Sequence, residues 1–405
     1  MPSLSRRAVL GSLGLGAPMV IAGRAFAAPA ADSRFLLVFL RGAYDAANII
    51  APTASSFYHE ARPTIALAQP DAANPDAALA LDADWSLHPA LKDSLLPLWQ
   101  ARQLAFVPFA GTQDMSRSHF ETQDSIELGQ PLSGSRDFQS GFMGRLAAVV
   151  SGNRPIAFTE QLPLCFHGGP VVPNIALGTA AARPPLDARQ QRLIAAMYRG
   201  QRASGVDLEA VVSEGFAVRQ QVFASIQEEM AGAGRGAITT KGFELSARRI
   251  GRLMREQYSL AFVDVGGWDT HVNQGGAQGY LAGRMGELGR ALAGFADEIG
   301  AQVWRKTTVV VISEFGRTFH ENGDKGTDHG HGSTYWVLGG GVNGGRIAGP
   351  QVALTPDTLN QRRDLPVLTD YRALIGGLLA RQYGLSPRQL ALVFPGAAIS
   401  DLGLV

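Results

Sequence analysis

The sequence predicts an α/β protein: an α/β/α sandwich around a mainly parallel sheet, with a helical segment added. Three observations carry that expectation. Several apolar runs are continuous rather than alternating, as expected of strands buried on both faces. A stretch with apolar residues at spacings of three and four separates two of these runs, which is the pattern of a crossover helix. Carboxylates and imidazoles collect just after the runs, at the strand ends where open α/β sheets bind ligands.

The first element is not part of the fold. Ser5-Arg6-Arg7-Ala8-Val9-Leu10 is followed by a mildly apolar, Gly-rich stretch to about Gly23 and then by Ala25-Phe26-Ala27. Paired arginines, a short apolar run and an A-x-A cleavage pattern, in that order, make residues 1–27 a signal peptide of the twin-arginine type. Gly and Pro interrupt the run, and it falls short of the ~18–20 residues a membrane span needs. The expected destination is the periplasm, or another exported location, reached by a folded passenger. The chain from about Ala28 to Val405 is then one domain, long enough to build a large core. Its one cysteine, Cys165, permits no intramolecular disulfide and reads as a small buried apolar residue. Thirty-six basic and 35 acidic residues leave a formal charge of +1, with no basic block, so nucleic acid is not an expected partner.

Arg34–Leu40 reads as the first buried strand, and Leu104–Pro108 and Leu260–Val265 as further ones. The β-branched run from Thr307 to Ile312 and the segment Tyr335–Leu338 complete the set. Between Val265 and Thr307, Leu281, Met285, Leu288, Leu292, Phe295 and Ile299 form one apolar helical stripe. Strand, helix and strand at that length form a βαβ crossover, so the sheet is at least partly parallel. Residues from about 185 to 257 are helix-like and rich in Arg, Gln, Ala and Glu, and are expected to lie on the edge or face of the sheet.

The chemistry-bearing residues follow the strands. Asp45, just past the first, is either a metal ligand or a turn and capping carboxylate. Ser118 and His119 stand where a helix is expected to begin. A hydroxyl there suits a nucleophile on an anionic ester, because helix N–H groups hold the anion. Ser118 with Glu121 three residues on is equally a capping box, the commoner meaning of that spacing. His119 orients a substrate, ligates a metal or fills the first turn. Asp269 and His271 follow a Gly-Gly turn. Both reach one ion only if the loop brings their side chains together. Glu314 is either a ligand or the partner of Arg317. His329 and His331 lie on a Gly-rich loop at a spacing that suits metal ligation. Asp324, Lys325 and Asp328 need be no more than solvated loop charges. Gly339–Gly344 formally fits G-x-G-x-x-G, but Gly345-Arg346-Ile347-Ala348-Gly349-Pro350 cannot open a helix, so no dinucleotide site is expected.

Taken together, the N-terminal signal, Leu40-Arg41-Gly42-Ala43-Tyr44-Asp45, Arg117-Ser118-His119-Phe120, Gly266-Gly267-Trp268-Asp269-Thr270-His271, Ser313-Glu314-Phe315-Gly316-Arg317-Thr318 and Asp328-His329-Gly330-His331-Gly332 resemble the "domain of unknown function 1501" family over essentially the whole mature chain. That family in turn resembles the alkaline phosphatase and sulfatase superfamily. The resemblance implies an alkaline phosphatase-like sandwich with a divalent metal, zinc among those the donors suit, at the carboxyl edge of the sheet. It implies that Asp45 and one of His329 or His331 are ligands and that the nucleophile lies in the region of Ser118. A large helical partner protein is also implied. The sequence departs from the superfamily in two places. Glu314-Phe315 stands where an Asp–His pair is expected, and Gly267 stands four residues before His271. The formylglycine signature C/S-x-P-x-R is absent. Two functions follow as expectations. One is a metal-assisted hydrolase of an anionic ester, phosphate or sulfate, with Asp45, Asp269, His271, Glu314, His329 and His331 as ligands and Ser118 and His119 as catalytic groups. The other is a non-catalytic exported binding or assembly protein that keeps the fold.

Overall fold

The computed structural model describes residues 32–177, 188–203, 206–218 and 242–405. The expected signal peptide, residues 1–27, and much of the expected helical segment lie outside the described residues. The main elements are β1 (Arg34–Leu40), β2 (Leu104–Gly111), α1 (His119–Leu128), α2 (Phe142–Val149), β3 (Pro155–Phe158), α3 (Phe243–Glu256), β4 (Leu260–Val265), α4 (Tyr280–Ile299), β5 (Thr307–Ser313), β6 (Ser333–Leu338), β7 (Arg346–Ile347), β8 (Thr369–Asp370), α5 (Tyr371–Tyr383) and α6 (Pro387–Val393). No described helix is long and apolar enough to cross a membrane.

One sheet runs in the order β7-β2-β6-β5-β1-β4-β3, with β8 also paired to β2. β1 lies parallel to β5 and β4, and β4 to β3. β6 is the exception, antiparallel to both β5 and β2. The continuous apolar runs have the expected cause. Along β1, Leu36, Val38 and Leu40 enter one core while Phe35, Leu37 and Phe39 enter the other. Along β5, Val309 and Val311 divide from Val310 and Ile312 in the same way. Both faces are covered. The first core takes α3 and the stripe of α4, where Leu281, Met285, Leu288, Leu292, Phe295 and Ile299 are all buried. The second takes α2, α5 and α6. This is a mixed α/β fold with a mostly parallel central sheet between helical layers.

Three short strands escaped the sequence. The four-residue β3 opens with Pro, which removes a ladder donor, and β7 and β8 are two residues each. Too short to show a period, such runs are legible only through their partners. The Gly-rich segment after β6 leads into β7, not a helix.

The direction of β6 places the site. No helix separates β5 from β6, so the chain leaves β5 and re-enters β6 on the same edge of the sheet. A crossover would have carried residues 329–332 to the far edge. The two ends of this loop pair with each other: Gly316 donates to His331 O at 2.9 Å and Gly330 to Gly316 O at 2.8 Å. Arg317 and His329 form an isolated bridge. Backbone contact here is so close that a Cβ on Gly316 would overlap Gly332 O.

Candidate metal centre

Four loops meet at the carboxyl edge. β2 leads to His119, the first residue of α1. β4 leads through Gly266-Gly267 to Asp269 and His271. β5 leads to Glu314 and Arg317, and His329 precedes β6. Gly42, after β1, has φ +116°, and a Cβ there would lie 2.8 Å from Asp269 N, so only glycine lets the loops after β1 and β4 touch. Trp268, which the sequence left as pocket wall or packing, is fully buried and donates Nε1–H to Val265 O at 2.9 Å. The loop curls around it, and Asp269 and His271 come to the same side.

Two imidazoles then meet the third, His329, through Nε2. His119 Nε2 lies 2.9 Å from His329 Nε2, and His271 Nε2 3.2 Å from His329 Nε2. The carboxylate of Asp269 closes the group: Oδ1 is 2.9 Å from His271 Nε2 and 3.5 Å from His329 Nε2, and Oδ2 is 3.8 Å from His119 Nε2. Donor atoms of His119, Asp269 and His329 all lie within 4.8 Å of one another. Ligands of a tetrahedral zinc ion sit about 3.3 Å apart, given its ~2.0–2.1 Å bonds. The spacings bracket that value.

The far nitrogen of each ring is held by an acceptor. His119 Nδ1 meets Glu314 Oε1 at 2.7 Å, His271 Nδ1 meets Asp328 Oδ1 at 3.1 Å, and His329 Nδ1 meets Arg117 O at 3.0 Å. Carboxylates and carbonyls only accept, so these partners draw a proton to each Nδ1 and leave each Nε2 directed toward the centre, where His271 Nε2 also has Arg317 Nη1 at 3.4 Å. Arg317 borders the group, donating Nη2–H to Asp269 and placing Nη1 beside His271 Nε2, while His119 Nε2 and His329 Nε2 are pressed together, an unfavourable approach for two lone pairs. A cation among them removes the conflict, and acceptors behind ligating histidines are what metal sites have.

Electrostatics keep the surrounding carboxylates ionised. Burial alone would raise the Glu314 carboxyl, but hydrogen bonds from His119, Gln123 and the Gly42 N–H outweigh it and hold the group below its ordinary range. Asp269 is lowered against its burial by Arg317 and the neighbouring imidazoles. Asp328 is lowered chiefly by the Asn322 amide, with burial opposing and His271 assisting. His329 is lowered by burial and then by the adjacent His119, which keeps it neutral and ligand-competent.

Several expected roles change. Asp45 is not a ligand. Its carboxylate, 1% exposed, accepts Arg62 at 2.5 and 2.9 Å and Gln274 at 2.7 Å, which uses its lone pairs on a buried guanidinium. Glu314 is not a ligand either. It stands behind His119, which is itself one of the converging donors rather than a free base. His331, two residues on, is 4% exposed and belongs to no metal-type cluster among the described residues. Arg317 pairs with Asp269, not with Glu314. Its fully buried guanidinium also donates to the carbonyls of Ala43, Thr327 and Gly42. Ser118 takes the N-cap backbone position but makes no side-chain cap bond, so the capping box does not form. Asp328 is not merely a solvated loop charge: it accepts from His271 Nδ1 and from Asn322. Its place directly before His329 was the only signal of its role.

Fold and site together define an α/β protein with a histidine-rich, carboxyl-edge donor cluster. The chain belongs to the family described as "Protein of unknown function (DUF1501)", which it matches over residues 32–394. It matches no curated protein. Among solved structures it is similar to a protein in the alkaline phosphatase superfamily from Vibrio parahaemolyticus, at 13% identity and a TM-score of 0.34. That match covers 77% of this chain and 62% of the other, so the chain spans less than two thirds of that protein's length. It is also similar to Ps i-CgsB in complex with k-i-k-neocarrahexaose, at 9% identity and a TM-score of 0.36, covering 91% of this chain and 75% of that one.

Proposed function

We propose that this protein is an exported, divalent-metal-dependent hydrolase of anionic esters, phosphate or sulfate. One observation carries the reading: the Nε2 atoms of His119 and His271 both meet His329 Nε2 beside Asp269, while every Nδ1 is held by an acceptor. Three nitrogens and one carboxylate suit zinc or a similar divalent ion. A bound ion would polarise an ester oxygen and ease deprotonation of a nucleophile. The protein's own residues do the rest. His119, His271, His329 and Asp269 hold the ion, and Glu314, Asp328 and the Arg117 carbonyl fix the rings. Ser118, one residue before His119, keeps its hydroxyl free of a capping bond at the start of α1 and is the proposed nucleophile. Export rests on the Arg6-Arg7 signal, and replacing both with Lys should leave uncleaved precursor in the cytoplasm.

The test is elemental analysis of protein purified without chelator, followed by hydrolysis of 4-nitrophenyl phosphate and 4-nitrophenyl sulfate before and after chelation. Stoichiometric metal and chelator-sensitive turnover support the reading, and Ser118→Ala should keep the metal while losing most of the turnover. Metal without turnover of either ester would favour a non-catalytic binding protein. Absence of metal after incubation with zinc would refute the centre itself.

A further inference from the structure

We infer that Arg117 is a positioning residue for the centre, latched by Asp364, and that this latch fixes the tautomer of His329; the inference rests on the metal-centre reading above. Arg117 has φ +52°, a left-handed backbone unfavourable for a residue with a side chain. Something must hold it there. Its Nε and Nη2 both donate to Asp364 Oδ2, at 3.1 and 2.6 Å, and Nη2 also donates to Gln361 Oε1 at 2.7 Å. The Asp364 side chain is fully buried. Its backbone is anchored in turn, by an isolated bridge to Thr318 and by paired bonds with Asn360. Asp364 is therefore fixed to the strand-like segment that carries Arg317, and it pulls the loop between β2 and α1 against that segment.

The backbone conformation has a direct consequence. With Arg117 left-handed, its carbonyl accepts from His329 Nδ1 at 3.0 Å, and this is the acceptor behind that ring. Two residues later the same loop delivers His119, whose Nε2 meets His329 Nε2. One residue thus sets the proton position of one ligand and the entry of another. Without the ion pair the backbone relaxes, the carbonyl swings away, and His329 no longer presents a fixed Nε2 lone pair. Nothing about an outer-wall Arg–Asp pair of purely structural purpose requires its backbone carbonyl to meet a ligand ring.

The experiment uses the full chain and two readouts. The first is the ring ¹⁵N spectrum of His329 in chelator-treated protein, assigned by its loss in His329→Gln. The second is affinity for Zn²⁺ alone, measured by chelator competition. The wild type should show the Nδ1–H tautomer. Arg117→Ala should mix the tautomers and weaken Zn²⁺ binding about 10–100-fold, the usual range for residues behind ligands. Arg117→Lys, which keeps the charge but not the fork, should restore part of both. Asp364→Asn, which keeps shape and an acceptor, carries the same test if Arg117→Ala does not fold. A folded variant with a lower thermal midpoint but wild-type tautomer and Zn²⁺ affinity would overturn the inference. If the wild type binds no Zn²⁺ yet its His329 tautomer responds to Arg117→Ala, the metal reading fails and the positioning role stands.

Discussion

His271 and Asp45 look alike in sequence, each a potential ligand just past a strand, and they do different things. His271 offers Nε2 to the centre and is held through Nδ1 by Asp328. Asp45 neutralises Arg62 inside the core, both groups 1% exposed. Substitutions should separate them. His271→Ala should cut Zn²⁺ affinity sharply and leave folding stability of the metal-free protein within about 1 kcal/mol, because the side chain is partly exposed. Asp45→Asn should leave Zn²⁺ affinity of the folded protein near wild type and cost about 3–5 kcal/mol, because it strands a buried guanidinium. Denaturant unfolding and metal titration of both variants check this; reversed effects would return Asp45 to the ligand set. At this scale the sequence located the neighbourhood but not the shell. His119, Asp269, His271 and His329 were singled out and do converge. The place of Asp45 outside that group depends on Arg62, 17 positions away on another segment with no local sign of partnership.

At the scale of elements, the ladder between the two ends of the loop joining β5 and β6 is what carries Arg317 and His329 to the same place. Gly316 permits it, since a Cβ there would overlap Gly332 O. Gly316→Ala should therefore open the ladder, cost about 1–3 kcal/mol as overpacking does, and weaken Zn²⁺ binding although residue 316 is no ligand. A variant stable and metal-binding like the wild type would show that the loop does not depend on this contact. The long apolar runs were legible because burial on both faces leaves no polar positions, and β1 and β4 fall where the sequence put them. The stripe of α4 was legible for the same reason at a different period. The direction of β6 was not. Tyr335–Leu338 reads the same whichever way it runs, and only its hydrogen-bonded neighbours, β2 and β5, settle it.

For the molecule as a whole, the balance of acid-sensitive groups gives a prediction that also tests the ligand set. His331 is held near a pKa of about 4, first by burial and then by the Arg117 charge, with Asp114 opposing. Its ordinary value is about 6.5, so between those two values the unfolded chain binds more protons than the folded one. Stability therefore rises with pH across that window. The contribution is complete above about pH 6.5 and is lost as pH falls toward 4, on the order of 3 kcal/mol over the whole range. His329, also lowered, acts in the same direction. The depressed carboxyls of Glu314, Asp269 and Asp328 act in a different window, below the ordinary carboxyl range, where their stabilisation is lost as they protonate. Chelator-treated wild-type protein should thus lose stability steadily from pH 6.5 to 4, and His331→Gln should flatten much of that slope. Because His331 stands outside the centre, the same variant should bind Zn²⁺ as the wild type does. An unchanged slope would sink the titration argument, and a large loss of Zn²⁺ affinity in a folded His331→Gln protein would put His331 back among the ligands.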